Sequence, residues 1–417
     1  MDTRDALPGS SEQQATTPKA KRSGDSGENG QARLLLVLCL CGFATSISWR
    51  ALDPMLPVMA ADLDVSLGEV VLLASAYSLP FALMQLVFGP MGDAWGKTRL
   101  IRLSLGMAAA SLLLMAVAPD FYGVLAARVV SGAFAGGINP VAIALLGEHV
   151  AYSNRQVALG RYMVAMIGGQ MIGASAAGLL VDFIGWRLVV ALAALMIAAV
   201  CVLTVFFLDS RHEVRSRPSL EKVLANYRMI FAGPGAFLIM GTLVLEGILI
   251  LGLIPFVAGM LLEGLGSGAA QAGIVIGCFA IGGMTFGFLV RHVVAGLGPW
   301  NMIRVGGAVA GVGLIGVALP VHWMLTAGCF FVIGIGFYMM HNSIMLRVTE
   351  LGPHARGAGV SVGAFAFTAG QGVGPIIWGL ALESTTYPWM FLSAGLLTAV
   401  LGVAGARTLR ASTSTPN

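Results

Sequence analysis

Charge is scarce in this sequence. Only 11% of its 417 residues are Asp, Glu, Lys or Arg, against about 25% in a soluble domain whose surface must face water. That shortage excludes a mostly aqueous surface. A hydrophobic content of 57% and a mean hydropathy of +0.86 point the same way. Cysteine is sparse too. Cys39, Cys41, Cys201, Cys278 and Cys329 all lie in apolar runs. Cys39 and Cys41 are two apart, so a helix points them away from each other. All five read as small apolar packing residues, and no disulfide framework or metal site is expected. No H-E-x-x-H or Cys/His ligand pattern occurs. No Walker loop follows a strand, and the glycine clusters lie within apolar helices, so no cofactor is expected. No Ser, Cys or Lys nucleophile has a recognisable setting, and no titratable cluster converges as an enzyme would need. Basic residues are scattered over short loops, which speaks against nucleic acid as a partner.

What is present is a series of apolar runs of about 20 residues, the length that crosses a bilayer. They fall at 34–57, 69–91, 100–118, 122–147, 158–181, 187–208, 235–262, 269–295, 300–319, 323–346, 357–382 and 388–408. The pattern predicts an all-α membrane protein with twelve transmembrane helices. It divides as a polar, disordered cytoplasmic tail (1–32), a first six-helix bundle (33–208), a cytoplasmic central loop (209–233), a second six-helix bundle (234–408) and a short cytoplasmic tail (409–417). The first tail is too long and polar to be a signal peptide. Basic residues alternate from side to side, and cytoplasmic loops collect them. Lys97, Arg99 and Arg102, Arg155 and Arg161, the central Arg211, Arg215, Arg217, Lys222 and Arg228, and Arg347 and Arg356 fall on one side. Asp62, Asp64, Asp120, Asp182, Glu263 and Glu383 fall on the other, where Arg187 is the exception. Both termini are therefore expected in the cytoplasm. The 56 glycines suit close helix approach in lipid.

The loop after the second run reads Gly89-Pro-Met-Gly-Asp93-Ala-Trp-Gly96-Lys97-Thr-Arg99. It resembles the signature loop of the major facilitator superfamily, approximately G-x-x-x-D-[RK]-x-G-[RK]-[RK]. Gly89, Asp93, Gly96 and Lys97 match, and Ala94 replaces a basic residue. Arg128 followed by Gly132 and Gly136 is similar to the family's fourth span. Gly169, Gly173 and Gly178 match the exporters' fifth-span motif, with Ala174 in place of its proline. Gly370-Gln-Gly-Val-Gly374-Pro375 is a better copy in the eleventh. The run Tyr338-Met-Met-His341-Asn342-Ser343 looks like drug/proton antiporter-type and sugar-efflux carriers. The resemblance implies the major facilitator fold, with two six-helix bundles rocking around a central site. It also implies a monomeric carrier of small molecules in the plasma membrane, the inner membrane if bacterial.

Charged groups at mid-bilayer cost about 2.5–3.5 kcal/mol, so each needs a reason. Glu246 lies in the middle of the seventh run. It reads as a proton carrier or a ligand for a cationic substrate, or else as a permanently protonated carboxyl bonded to a neighbour. Arg50 and Asp53 are three apart and able to pair. The family's fold makes the first and fourth spans neighbours, so an Arg50–Asp53–Arg128 cluster is expected, read as a gate, as a static brace, or instead as an excess of positive charge that attracts an anionic substrate. Asp53 and His341 are further proton-coupling candidates. Tyr77, Gln85, Asn139, Gln170, Asn342 and Gln371 are candidates for the cavity wall, with Glu246 and His341; each polar one could equally tie helices together. Phe81, Trp378 and methionines would complete an adaptable apolar wall. The leading expectation is a proton-coupled exporter of drug-like or small organic compounds. The alternatives are an importer of a sugar or organic acid and, remotely, a carrier-like sensor.

Overall fold

The computed structural model describes residues 23–150, 152–208, 220–233, 235–319, 321–351 and 356–414. Every regular element among them is helical. In hydrocarbon each backbone N–H and C=O must be satisfied within the protein, and a helix does this inside one segment. The first half contains α1 (Ser23–Arg50), a 3-10 turn (Asp53–Met55) and α2 (Leu56–Asp62). It continues with α3 (Leu67–Val70), α4 (Leu72–Trp95), α5 (Lys97–Val117), α6 (Phe121–Ala135), α7 (Ile138–His149) and α8 (Tyr152–Phe207). After α9 (Leu220–Ala232), the second half contains α10 (Ala236–Leu249), a 3-10 segment (Leu251–Phe256) and α11 (Val257–Leu265). It closes with α12 (Ala269–Val317), α13 (Trp323–Glu350), α14 (Arg356–Leu382) and α15 (Tyr387–Ser414). Each half thus opens on a helix broken by a proline-bearing 3-10 segment, at Pro54 and at Pro255. Proline has no N–H to continue the helical ladder.

Among the described residues, eleven helical runs are long and apolar enough to cross a membrane. The sequence reading expects twelve, and the difference lies in Asn154–Phe207, a run of 54 residues. A continuous helix of that length would measure about 81 Å, against a hydrocarbon core of about 30 Å. It is not continuous. Gly185 has φ 74° and ψ 158°, which glycine adopts at little steric cost because it lacks a Cβ. The two arms pack on different neighbours. Gly169 and Gly173 bring the first against Phe43 and Ile47 of α1. Thr204 of the second accepts a hydrogen bond from Arg102 of α5 through its carbonyl, at 2.9 Å. Gly298 interrupts α12 in the same way.

Outside the bundle, large apolar side chains such as Leu114, Val117, Phe183, Phe206 and Phe288 stand exposed, as a lipid-facing surface requires. Inside it, Gly132 of α6 and Gly136, the residue that caps its C-terminus, lie against the backbone of Tyr77 and Phe81 of α4. The two halves meet where α4 packs on α14 and α8 on α12. The stretch 209–233, expected as a loop, is not loop throughout, because α9 occupies part of it. The Tyr227 hydroxyl of α9 donates to the Leu86 carbonyl of α4 at 3.1 Å. The tail expected over 1–32 is helical from Ser23, and α15 runs on into the expected 409–417 tail as far as Ser414. Residues 1–22, 209–219 and 415–417 of the expected tails and central loop lie outside the described residues.

Candidate functional site

Polar side chains gather at the end of α1. Arg50 is its last residue and is 6% exposed. The following 3-10 turn brings Asp53 back under it, and Nη1 donates to Asp53 Oδ2 at 3.2 Å. Its Nε donates to Gln170 Oε1 of α8 at 3.4 Å, and its Nη2 to Gln371 Oε1 of α14 at 3.2 Å. Gln371 belongs to the second half, so this guanidinium spans the boundary between halves.

Arg128 meets the expected Arg50–Asp53–Arg128 cluster through charge and not through a hydrogen bond. It makes no hydrogen bond to Asp53. Its Nη1 and Nη2 donate to the carbonyls of Ser48 and Trp49 at 3.1 and 3.0 Å. Its guanidinium also stacks on the Tyr77 ring, 4.1 Å from the centroid. The reason is the helix end. The last carbonyls of α1 have no donor within the helix, and the C-terminal end of a helix favours a cation. Arg128 answers both needs and is 1% exposed. Tyr77 in turn forms an aromatic cluster with Trp49 and Phe81, with centroids 4.6–5.7 Å apart.

The second half holds the buried acid. Glu246 of α10 is 0% exposed, and its Oε2 lies 2.8 Å from His341 Nδ1 of α13. Its other oxygen, Oε1, has no hydrogen-bond partner. His341 sits between Phe337 and Phe367, with ring centroids at 5.1 and 4.4 Å. Those rings pack against the imidazole, whose side chain is 17% exposed while that of Glu246 is fully buried. Two proton-coupling candidates expected separately thus form one pair.

The remaining candidates are spread out. Gln85 Nε2 donates to Thr368 Oγ1 across the halves at 3.4 Å. Asn139 Oδ1 accepts from the Tyr162 hydroxyl at 2.7 Å, which ties α7 to α8. Trp378 Nε1 donates to the Ile248 carbonyl at 2.8 Å, tying α14 to the end of α10. Asn342 is exposed. Among the described residues no group of three or more His, Cys, Asp or Glu is placed to hold a metal.

The signature loop forms a small charge relay. Gly96 takes φ 98° as the chain turns from α4 into α5. Lys97 Nζ meets Asp93 Oδ1 and Glu148 Oε1, each at 2.7 Å. Glu148 is not among the residues the sequence singles out, because it lies 51 positions from Lys97. Lys97 is mostly buried while both carboxylates are half-exposed, so each pair is worth at most about 1 kcal/mol after solvent screening. Lys97→Met, which leaves two neighbouring carboxylates unpaired, is expected to cost roughly 1–2 kcal/mol. Glu148→Gln should cost less. Unfolding of the purified protein in detergent measures both, and an unchanged midpoint for Lys97→Met would mean the relay adds no stability.

The fold is that of a multi-pass helical membrane protein. A model of the Major Facilitator Superfamily matches residues 38–370, and the chain belongs to that family. Members act on small-molecule substrates within the membrane, and neither family nor fold is that of an enzyme. Among characterised or named relatives, the chain is 30% identical to a multi-drug resistance efflux pump PmrA homolog of Lactococcus lactis, over 44% of this chain and 46% of the relative. It is 30% identical to multidrug resistance protein MdtG of Yersinia enterocolitica, over 48% of each. It is 26% identical to the inner membrane transport protein YnfM of Escherichia coli, over 51% and 53%. The chain therefore spans about half the length of the curated relatives it matches. Two solved structures share the fold. One is a bacterial homolog of the human lysosomal transporter Spinster, in an inward-facing and unoccupied conformation. It has a TM-score of 0.76 and 18% identity, and covers 93% of this chain and 99% of that one. The other is a nucleoside transporter, NupG, with a TM-score of 0.75 and 14% identity, covering 91% and 99%.

Proposed function

We propose that the chain is a secondary active transporter that exports small organic or drug-like compounds in exchange for protons. In this reading it works as a monomer in the plasma membrane, by alternating access, with no cofactor. It crosses the bilayer twelve times, with Gly185 separating the fifth crossing from the sixth, and both termini are cytoplasmic. The observation that carries the reading is the Glu246–His341 pair. A carboxyl buried this completely costs too much to keep for packing alone. Its Oε2 lies 2.8 Å from His341 Nδ1, and its free Oε1 is where a proton or a substrate donor would bind. A proton held between Glu246 Oε2 and His341 Nδ1 leaves only when one face of the bundle opens to water. The efflux names of several relatives support the outward direction. Ala174, standing where the exporters' motif has proline, favours the opposite reading, a symporter or uniporter importing a sugar or organic acid.

Everted membrane vesicles carrying the overexpressed protein test this directly. An inside-acid gradient is imposed, a fluorescent pH probe reports the interior, and amphipathic drugs, sugars and organic acids are added in turn. Substrate-dependent proton release is the expected result. Proton movement in the same direction as substrate would establish the importer instead. Carrier activity without any proton movement would end the antiport reading.

A further inference from the structure

We propose that Arg50 anchors an anionic group of the transported molecule, a carboxylate or a phosphate, and that Gln371 competes with that group for the same guanidinium edge. This rests on the transporter reading above and names a substrate class for it.

A guanidinium offers five N–H donors. Asp53 takes one of those on Arg50. Two others point at amide oxygens, Gln371 at 3.2 Å and Gln170 at 3.4 Å. Bonds from a guanidinium to an anionic oxygen are shorter, about 2.7–2.9 Å, and about twice as strong as neutral ones. Both amides are therefore weak partners that a carboxylate or phosphate would outbid. The local charge points the same way. Arg50 and Arg128 are both buried, and Asp53, the carboxylate that bonds Arg50, stands alone against the two of them. Arg128 is held by neutral carbonyls and an aromatic face. Glu246 is on the other half and bonded to His341. The end of α1 thus carries one positive charge more than negative, in surroundings of low dielectric where an anion is strongly attracted.

The position fits a transported ligand. Arg50 lies where the halves meet, and the Trp49 ring, 5.4 Å from its guanidinium carbon, offers an apolar platform beside it. An anionic oxygen that took Nη2 would displace Gln371, which is a polar link between the halves, as Gln85–Thr368 is. Binding and the closed arrangement of this link therefore exclude each other. Outward movement of an anion is also aided by a membrane potential that is negative inside.

The experiment uses the purified full-length chain in lipid nanodiscs, without any gradient, at constant ionic strength. Benzoate, phenyl phosphate, benzamide and benzylamine are titrated, with thermal shift and tryptophan fluorescence as readouts. Trp49→Phe identifies the signal from the residue beside Arg50. At least one anion is expected to bind tenfold or more tightly than benzamide, and the stronger of the two anions shows whether a carboxylate or a phosphate is preferred. Arg50→Gln should abolish the preference for anions. Gln371→Ala removes the competitor, so it should tighten anion binding severalfold and leave benzamide unchanged. That gain also keeps the test decisive should Arg50→Gln fail to fold. The proposal is overturned if benzamide or benzylamine binds as well as the anions, if Arg50→Gln keeps the preference, if Gln371→Ala weakens anion binding, or if none of the four probes binds. Proton-coupled export of neutral or cationic compounds in the vesicle assay would then leave the transporter reading standing without this one.

Discussion

Replacing Glu246 by Gln is expected to reduce substrate-dependent proton flux by at least about a hundredfold, the lower end of what a positioned proton-transferring side chain contributes. Glutamine keeps the size of the side chain and can still bond His341, but an amide does not take up and release a proton in the physiological range. The substitution therefore separates the proton from the packing. It should not unfold the protein, because a neutral isostere removes the cost of burying an ionisable group among apolar neighbours. Two measurements check this: proton release in everted vesicles, and the unfolding midpoint in detergent. Flux that survived the substitution would remove Glu246 from the coupling step. Loss of both flux and fold would assign the residue to structure. His341→Gln should have a smaller effect on flux, since the carboxyl retains its buried position and can exchange a proton with water when the bundle opens.

The second large effect expected is on stability, at the contact between α12 and α13. A Cβ added at Gly282 would lie 2.0 Å from the Phe331 carbonyl oxygen, and one added at Gly334 would lie 2.1 Å from that of Phe279. In both cases the obstacle is backbone and cannot rotate away. Two helices must separate to admit a single methyl group. Overpacking of this kind costs about 1–3 kcal/mol and sometimes more, and in lipid close packing is itself a main source of helix association. Gly282→Ala is therefore expected to lower the unfolding midpoint sharply. Gly287, five residues on in the same helix, has nothing within 4 Å of its would-be Cβ. Gly287→Ala should be neutral, or stabilising by up to about 1 kcal/mol through helix propensity. Equal effects at the two positions would refute the close-approach argument.

The division between what was legible and what was not follows from this contrast. The glycine spacings at 132 and 136, and at 169 and 173, were visible as small-residue patterns. The structure adds which backbone each one touches, Tyr77 and Phe81 in the first case, Phe43 and Ile47 in the second. The Arg50–Asp53 pair was legible because its members are three residues apart. The partners of Arg50 on α8 and α14 were not, and neither was the Glu246–His341 pair, whose members lie 95 positions apart. Arg128 shows the limit most clearly. Its charge suggested an acidic partner, yet the free carbonyls at the end of α1 claimed it. Nothing in a sequence marks where a neighbouring helix will stop with its carbonyls exposed to a particular side chain.

By itself the sequence determined the membrane class, the helical content, the approximate span positions and the signature loop. Those properties depend on segment length and composition measured against the thickness of a bilayer, and each run carries that information locally. The tertiary structure decided which polar groups meet: Gln371 on Arg50, His341 on Glu246, Glu148 on Lys97, Tyr227 on Leu86. These depend on how each helix is rotated and how high it stands against its neighbours. In lipid, apolar residues line nearly every face of a helix, so no polar stripe announces that rotation in advance.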